Sequence, residues 1–257
     1  MKRLKISAIV VLVVACLAYA GVCGSIYFNQ RSLIFHPPKK ELSTTHETWT
    51  ESGEYFGLKR EVRSATVAWL FLTGDGGQAA GLGKPTLDKM EASASFYLVD
   101  YPGYGRRAGT PSRDSINAAV RKAYDAVVAK GFKEVGVIGL SLGSGPASML
   151  AKAQRPPDKI VLVVPYDSIA SVSEGRYPVL SPFLPVRLLL TEGWDNIAAL
   201  QNYAGKVEIF AAKDDRIIPN KHAKNLAASI KGTIYTEVAG AHSDWIKKET
   251  GVVFTIK

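Results

Sequence analysis

The chain has 257 residues, of which 47% are hydrophobic and 21% are charged, so it is long enough to bury one α/β core. Its formal net charge is +9, but residues 1–40 contain no acid and carry six bases, namely Lys2, Arg3, Lys5, Arg31, Lys39 and Lys40. A basic excess beside an apolar segment indicates a membrane surface and argues against a nucleic-acid partner.

The apolar segment covers residues 6–28 without a charged side chain, which is about the length that a helix needs to cross the hydrocarbon layer. It predicts a signal anchor over residues 1–28, followed by a single domain over residues 29–257. Two alternatives remain open. Residues 18–20 form an Ala-Tyr-Ala site that suits a signal peptidase, and residues 13–16 resemble a lipobox.

Charge on either side of the apolar segment predicts its orientation. The cluster of Lys2, Arg3 and Lys5 precedes the segment directly, whereas Arg31 is the one basic residue between the segment and Lys39. Basic residues stay on the cytoplasmic side of a membrane helix. The domain is therefore expected on the extracytoplasmic side, periplasmic or lumenal, as a single-pass membrane protein.

Beyond the anchor, β-rich runs at residues 47–50 and 55–62 are candidates for antiparallel strands, and from residue 66 strands and helices alternate. Further strands are predicted at residues 66–72, 95–99, 135–138, 159–164, 207–212 and 233–238. Helices are predicted from residue 112, over residues 142–154, near residue 219 and after residue 242. Such alternation predicts an α/β fold whose mainly parallel sheet is covered on both faces, with its site at the carboxyl ends of the strands.

The strand of residues 135–138 leads into Gly-Leu-Ser-Leu-Gly at residues 139–143, with Ser141 at its centre. This Gly-x-Ser-x-Gly pattern between a strand and a helix is typical of a nucleophile elbow, in which a tight turn exposes the serine hydroxyl. The turn forces the serine into a strained backbone conformation and leaves no room for flanking side chains, which explains the two glycines.

A nucleophilic serine needs a base, and the base needs an acid that orients it. His242 lies in a loop between a strand and a helix beyond the elbow, whereas His222 lies on a lysine-rich helix face and is expected to face solvent. Asp215 follows the strand of residues 207–212 and is the favoured acid. Asp214 and Asp167, which also follow strands, remain alternatives.

In the order Ser141, Asp215, His242, these residues resemble the α/β-hydrolase family, and in particular its small membrane-anchored members of the bud-emergence-factor and acylaminoacyl-peptidase-like kind. The similarity rests on residues 30–37, 100–105, 139–145 and 215–219 and on His242. It implies an α/β-hydrolase fold, a nucleophile at Ser141, a base at His242 and an acid at Asp215. It also implies an oxyanion hole from the backbone N–H groups of Leu142 and Asp75.

The oxyanion loop departs from the family pattern. Relatives carry His-Gly where this chain has Thr73 and Gly74, and an acidic residue, Asp75, follows. The hole needs backbone donors alone, but a carboxylate that faces the developing oxyanion would oppose catalysis. Asp75 is therefore expected to point away from the reacting carbonyl, or activity is low.

The resemblance implies a serine hydrolase that cleaves the acyl bond of a small substrate without a metal or cofactor. Carboxylic esters and thioesters are the expected substrates, and amides are a further candidate. The insert of residues 168–205 is rich in leucine and proline, and it forms either a helix that covers the sheet or a short lid. A different function class stays open, in which a membrane-anchored interaction protein keeps the fold but has lost the reaction.

Overall fold

One eight-stranded sheet organises the part of the chain that the computed structural model describes, namely residues 2–38, 40, 42–82, 84–87 and 89–257, without the side chains of residues 2–8, 84 and 85. The strands are β1 Glu47–Glu51, β2 Glu54–Arg60, β3 Val67–Leu72, β4 Ser95–Val99, β5 Glu134–Leu140, β6 Lys159–Val163, β7 Lys206–Ala212 and β8 Ile234–Val238. Their order is β1-β2-β4-β3-β5-β6-β7-β8. The pairs β1·β2 and β2·β4 are antiparallel and the others are parallel.

Eight α-helices accompany the sheet in the described residues, and most of them connect its strands. They are α1 Lys2–Ile34, α2 Lys84–Leu87, α3 Arg113–Ala129, α4 Ser144–Met149, α5 Ile169–Arg176, α6 Val186–Leu189, α7 Asn196–Leu200 and α8 Lys221–Ser229. Helix α3 begins where the sequence predicts, because the Ser112 side chain accepts a hydrogen bond from Ser115 N and caps the helix. The predicted α/β class, with a mainly parallel sheet flanked by helices, is confirmed.

The central strands of the sheet are buried on both faces, as their apolar sequences require. Along β3, Leu70 and Leu72 belong to one core cluster, and Trp69 and Phe71 belong to the cluster on the other face. Side chains of a strand alternate between the faces, so a strand covered on both sides is apolar at every position. This burial explains why the six residues of β3 form an unbroken apolar run.

Two predicted helices are shorter than expected. The helix predicted over residues 142–154 is divided into a 3-10 turn at Ser141–Gly143, α4, and a second 3-10 turn at Leu150–Lys152, which ends as Ala153 N donates to Leu150 O at 2.9 Å. The helix predicted after His242 consists of two 3-10 turns, Asp244–Ile246 and Lys248–Thr250. Gly251, in a left-handed conformation at φ 67°, ends the second of them.

Helix α1 is longer than the predicted membrane segment. It continues past Phe28 to Ile34, and it stops shortly before Pro37 and Pro38, which cannot continue a helix. Its stretch Ile9–Ile34 is long and apolar enough to cross a membrane, a property that signal sequences share. The basic side chains of residues 2, 3 and 5, which predict the orientation, and Lys39 lie outside the described part of the structure.

The C-terminal end of α1 is fixed to the domain by hydrogen bonds. The buried Gln30 accepts from Thr191 N at 2.8 Å and from Glu192 N at 2.9 Å through its Oε1. Arg31 Nε donates to Glu192 Oε1 at 2.6 Å, and Glu192 Oε2 accepts from Arg113 N at the start of α3 at 2.7 Å. The last turns of α1 are therefore part of the domain.

Candidate active site

Ser141 stands on a strained turn at the end of β5, with φ at 50°. A methyl group on Gly139 would lie 2.6 Å from Gly143 O, and one on Gly143 would lie 2.4 Å from Leu72 O. Neither position accepts a side chain without a backbone shift. The strain at a non-glycine residue with positive φ costs about 1–3 kcal/mol, and such outliers cluster at functional sites.

The structure brings Ser141, His242 and Asp215 together in one chain of hydrogen bonds. Ser141 Oγ lies 2.9 Å from His242 Nε2, and His242 Nδ1 lies 2.6 Å from Asp215 Oδ2. In the tautomer with the proton on Nδ1, His242 donates to Asp215 and its Nε2 is free to accept the serine hydroxyl proton. The arrangement has the geometry of a nucleophile, its base and an orienting acid.

The sheet positions the base and the acid. Strands β7 and β8 are parallel neighbours, with Ala212 paired to Val238 at their last residues, so the loops that follow them start side by side. Asp215 Oδ1 accepts from Ile217 N at 2.9 Å and from Ile218 N at 2.8 Å, and these two bonds leave Oδ2 for His242. The carboxylate is thereby held in one orientation.

The two alternative acids do not touch His242. Asp214 is exposed, and its backbone N–H donates to Gly240 O at 3.0 Å. Asp167 is buried, but its Oδ1 lies 2.9 Å from the Nδ1 atom of His222, and its Oδ2 accepts from Asn225 Nδ2 at 2.7 Å. Of the three candidates, Asp215 alone is within hydrogen-bond distance of His242 among the described contacts.

The expectation that His222 faces solvent is wrong. Helix α8 buries His222, Ala223 and Leu226, whereas Lys221 and Lys224 are exposed. His222 and Leu226 are four residues apart and therefore share one helix face. The lysines that suggested a solvated face lie on the other side of the same turns.

The Asp167–His222 pair is a buried structural contact with a predictable effect on stability. Burial would raise the pKa of the Asp167 carboxyl, but hydrogen bonds from His222 and Asn225 outweigh it and hold the pKa below its usual value. Asp167→Ala would leave His222 without its acceptor, and we expect it to lower the free energy of unfolding by about 3–5 kcal/mol. If the site is catalytic, turnover by the folded variant should stay close to that of wild type.

Urea unfolding at neutral pH and at about pH 3, below the unfolded-state pKa of aspartate, checks this expectation. Because the folded-state pKa is lowered, the stabilisation is present at neutral pH and is lost as the pH falls through the unfolded value toward the folded one. The difference between wild type and Asp167→Ala should therefore shrink at the lower pH. Loss of turnover at unchanged stability would instead assign Asp167 to the chemistry.

The loop after β3 runs past the nucleophile. A methyl group on Gly74 would lie 3.3 Å from Ser141 Cβ, and Thr73 O accepts from Tyr101 OH at 2.8 Å. The Asp75 carboxylate is engaged by the segment that follows α1, since its Oδ1 accepts from His36 N at 2.8 Å and its Oδ2 lies 2.6 Å from His36 Nδ1. His36 is thus the partner of the acidic side chain in the predicted oxyanion loop.

His36→Ala removes the ring contact and keeps the backbone N–H of residue 36 as a donor to the Asp75 carboxylate, so we expect kcat to fall by less than the roughly 100-fold that the loss of one oxyanion-hole donor would cost. Adding Asp75→Asn to His36→Ala removes the charge and should restore most of the rate. Steady-state kinetics on a soluble ester measures both effects. His46→Ala is the matched control, because the described hydrogen bond of His46 is made by its backbone N–H to Thr44 Oγ1, which alanine keeps. A double variant no faster than His36→Ala would contradict this role for the charge.

One cleft adjoins the loop that carries Asp215, and a second lies next to the first, between α5 and α8. The smaller one, of about 90 Å³, is lined by residues of α5, α8 and this loop, namely Val172, Gly175, Arg176, Arg216, Ile217, Pro219, Lys221 and His222. A wider groove of about 430 Å³ shares Gly175, Lys221 and His222 with it. Among the described residues, no three His, Cys, Asp or Glu side chains are grouped so that they would hold a metal ion.

Comparisons with known proteins confirm the predicted α/β-hydrolase fold. A model of the alpha/beta hydrolase family matches residues 68–228. An uncharacterized protein of Mycobacterium tuberculosis is 28% identical over an alignment of 256 residues. The alignment covers 92% of this chain and 89% of the relative. The solved structure of a lipase-esterase related protein from Clostridium acetobutylicum has a TM-score of 0.61 at 17% identity and covers 76% of this chain and 95% of its own. Est1E from Butyrivibrio proteoclasticus, solved with ferulic acid bound, has a TM-score of 0.63 at 13% identity, with coverages of 80% and 95%.

Proposed function

Because the chain belongs to the alpha/beta hydrolase family, we propose that it is a serine hydrolase that cleaves acyl bonds through Ser141, His242 and Asp215. The observation that carries this proposal is the continuous hydrogen-bond chain, with Ser141 Oγ 2.9 Å from His242 Nε2 and His242 Nδ1 2.6 Å from Asp215 Oδ2. A structural role alone would not need a strained serine whose hydroxyl meets an oriented imidazole.

The proposed reaction has two steps. His242 takes the hydroxyl proton as Ser141 Oγ attacks the acyl carbonyl, and it then gives that proton to the leaving group, so that an acyl-enzyme forms. Water, activated by the same imidazole, hydrolyses the acyl-enzyme. Asp215 holds the imidazole tautomer and stabilises its charged form, and the backbone N–H groups of Leu142 and Asp75 are proposed to bind the oxyanion.

The proposed substrates are small carboxylic esters or thioesters, with amides as a further candidate, because one triad can cleave all three kinds of acyl bond. The solved structures of similar fold include an esterase from Exiguobacterium antarcticum, which favours esters as the first compounds to test. Within the family, the chain is proposed to resemble most the membrane-anchored members of the bud-emergence-factor and acylaminoacyl-peptidase-like kind. The apolar N-terminal helix and the segment of residues 30–37 support that placement.

A fluorophosphonate probe tests the proposed function, since it reacts with an activated serine and leaves an ordinary hydroxyl untouched. We expect one probe molecule per chain, attached at Ser141 and absent from Ser141→Ala. A panel of acyl esters, thioesters and aminoacyl amides then defines the leaving group. An intact, folded chain that does not react would favour the alternative of a non-catalytic interaction protein.

We also propose that residues 1–28 anchor the chain as a single-pass membrane protein, with the domain of residues 29–257 on the extracytoplasmic side. The exposed apolar stretch Ile9–Ile34 supports the anchor, and Gln30 and Arg31 support its attachment to the domain.

Alkaline carbonate extraction is expected to leave the full-length protein in the membrane fraction. Protease accessibility is compared in intact and in opened cells. The domain should be cleaved only where the protease reaches the extracytoplasmic side. Soluble protein that starts at Gly21 would show cleavage after the Ala-Tyr-Ala site and would overturn the anchor.

A further inference from the structure

An apolar surface lies on the segment between β6 and β7. We call residues 169–192 the cap; it contains α5, a 3-10 turn at Ser181–Phe183, and α6. Within it, large apolar side chains are exposed to solvent, among them Val179 at 78%, Phe183 at 72% and Leu188 at 84%, together with Tyr177 and Leu180. Contiguous apolar patches are rare on soluble monomers, and where they occur they mark interaction surfaces.

The cap touches the end of α1 directly. Gln30 Nε2 donates to Leu189 O at 3.4 Å, in addition to its bonds with Thr191 and Glu192. Leu188 is the neighbour of Leu189 on α6. The cap is thus held against the helix through a buried amide, and the exposed side chain of Leu188 lies on the helix that contacts α1.

The cap contacts α1 close to the end of its apolar segment. The uncharged apolar segment ends at Phe28, and Gln30 is two residues further, which corresponds to about 3 Å of helix rise. The cap therefore meets α1 where the membrane-crossing segment would leave the hydrocarbon layer. Phe28 and Leu33, on the same part of α1, are also exposed.

We propose that the cap rests in the boundary of the bilayer that α1 crosses, with its exposed apolar side chains among the lipid headgroups and upper acyl chains. This proposal rests on the anchor proposed above. Continuity with α1 favours lipid as the occupant, because a cap fixed beside a membrane-crossing helix has no freedom to turn away from the surface. Amphipathic surface segments enter this boundary to a depth of about 5–10 Å.

Charge indicates which lipids the cap requires. Its acidic residues are Glu174 and Glu192, and its basic residues are Arg176 and Arg187, so the cap carries no net charge. Glu174 and Arg187 also pair with each other at 3.0 Å. Apolar contact, and not attraction to anionic lipid, should therefore hold the cap, and neutral phosphatidylcholine should be sufficient.

The test uses the full chain in phosphatidylcholine vesicles, with Cys16 and Cys23 replaced by alanine and one new cysteine that carries an environment-sensitive fluorophore. The new cysteine is Phe183→Cys or Leu188→Cys. The matched control is Ile234→Cys. Ile234 is 52% exposed and is the first residue of β8, so it lies at the end of the sheet opposite to the carboxyl ends of the parallel strands. Spin-labelled phosphatidylcholine and a water-soluble quencher are compared at each position.

We expect lipid-borne quenching at positions 183 and 188 and loss of access to the aqueous quencher, with the reverse at position 234. High salt should leave this pattern unchanged. Equal behaviour of all three positions would overturn the proposal. Shielding from the aqueous quencher without quenching by lipid would assign the surface to a second copy or another protein, and it would overturn the proposal as well.

Probe labelling at Ser141, measured on the same vesicles, separates this inference from the proposed function. Labelled enzyme without lipid quenching overturns the position of the cap and leaves the hydrolase intact. Lipid quenching without labelling overturns the hydrolase and supports the position of the cap. Recovery of the chain outside the vesicles, shortened at its N-terminus, overturns the anchor and with it the cap proposal.

Discussion

Ser141→Ala and His242→Ala are each expected to lower kcat by about 10⁵- to 10⁶-fold, and the double variant should be little worse than either. Ser141 supplies the attacking oxygen, and the imidazole of His242 is the group that contacts it, at 2.9 Å. Once either is lost, the other has nothing to act with, so the effects are not additive. Single-turnover and steady-state assays with a soluble acyl ester measure the loss.

Ser144→Ala is the matched control for the nucleophile. Ser144 lies one turn further along the elbow, and its hydroxyl donates to Ser141 O at 2.7 Å, so it can lower stability without removing the attacking group. Thermal unfolding of each variant distinguishes a chemical defect from a folding defect. If folded Ser141→Ala kept full activity, the acyl-enzyme mechanism would have to be abandoned.

Asp215→Asn is expected to keep the fold and to lower kcat by about 10⁴-fold. The asparagine oxygen can still accept from Ile217 N and Ile218 N, which keeps the loop in place. Its amide then presents N–H donors to His242 Nδ1, so the imidazole proton moves to Nε2. In that tautomer Nε2 cannot accept the proton of Ser141, and the base is lost although every side chain is in position.

The adjacent aspartate provides the contrast. Asp214→Asn changes an exposed side chain and should lower kcat by less than about tenfold, since the charge lies outside the hydrogen-bond chain. The pH dependence of kcat for Asp214→Asn and for Asp215→Asn is a second readout. A loss of kcat that is caused by the wrong imidazole tautomer should not be recovered at any pH. If Asp214→Asn lost its activity and Asp215→Asn stayed nearly normal, the acid would be Asp214 and not Asp215.

Local sequence patterns predicted the parts of the fold that depend on neighbouring residues. The strand before Ser141 and the flanking Gly139 and Gly143 predict the elbow, because the tight turn restricts each of these positions directly. The strands are predicted within about two residues of their observed bounds, since the apolar run needed by a strand buried on both faces is visible in the chain. Asp215 and His242 follow strands that pair, and their loop positions therefore already favour their meeting.

Contacts between distant residues were not predictable in the same way. His222 was expected in solvent because lysines surround it, but its partner Asp167 is 55 residues earlier, and local periodicity gives no sign of it. The same holds for Gln30, whose buried amide meets backbone N–H groups more than 160 residues later. A polar residue at the end of an apolar helix looks like a solvent contact until the opposing backbone is known.

The rigid attachment of α1 to the domain has a kinetic consequence. With α1 as the proposed membrane anchor, its hydrogen bonds to the domain through Gln30 would hold the domain at a fixed height above one membrane, whereas a flexible tether would let the domain reach further into the solution. For a substrate dissolved in that membrane, the encounter rate depends on the number of substrate molecules per unit of membrane area and not per unit of volume. Diluting the substrate with inert lipid slows such an enzyme even when the total concentration stays the same.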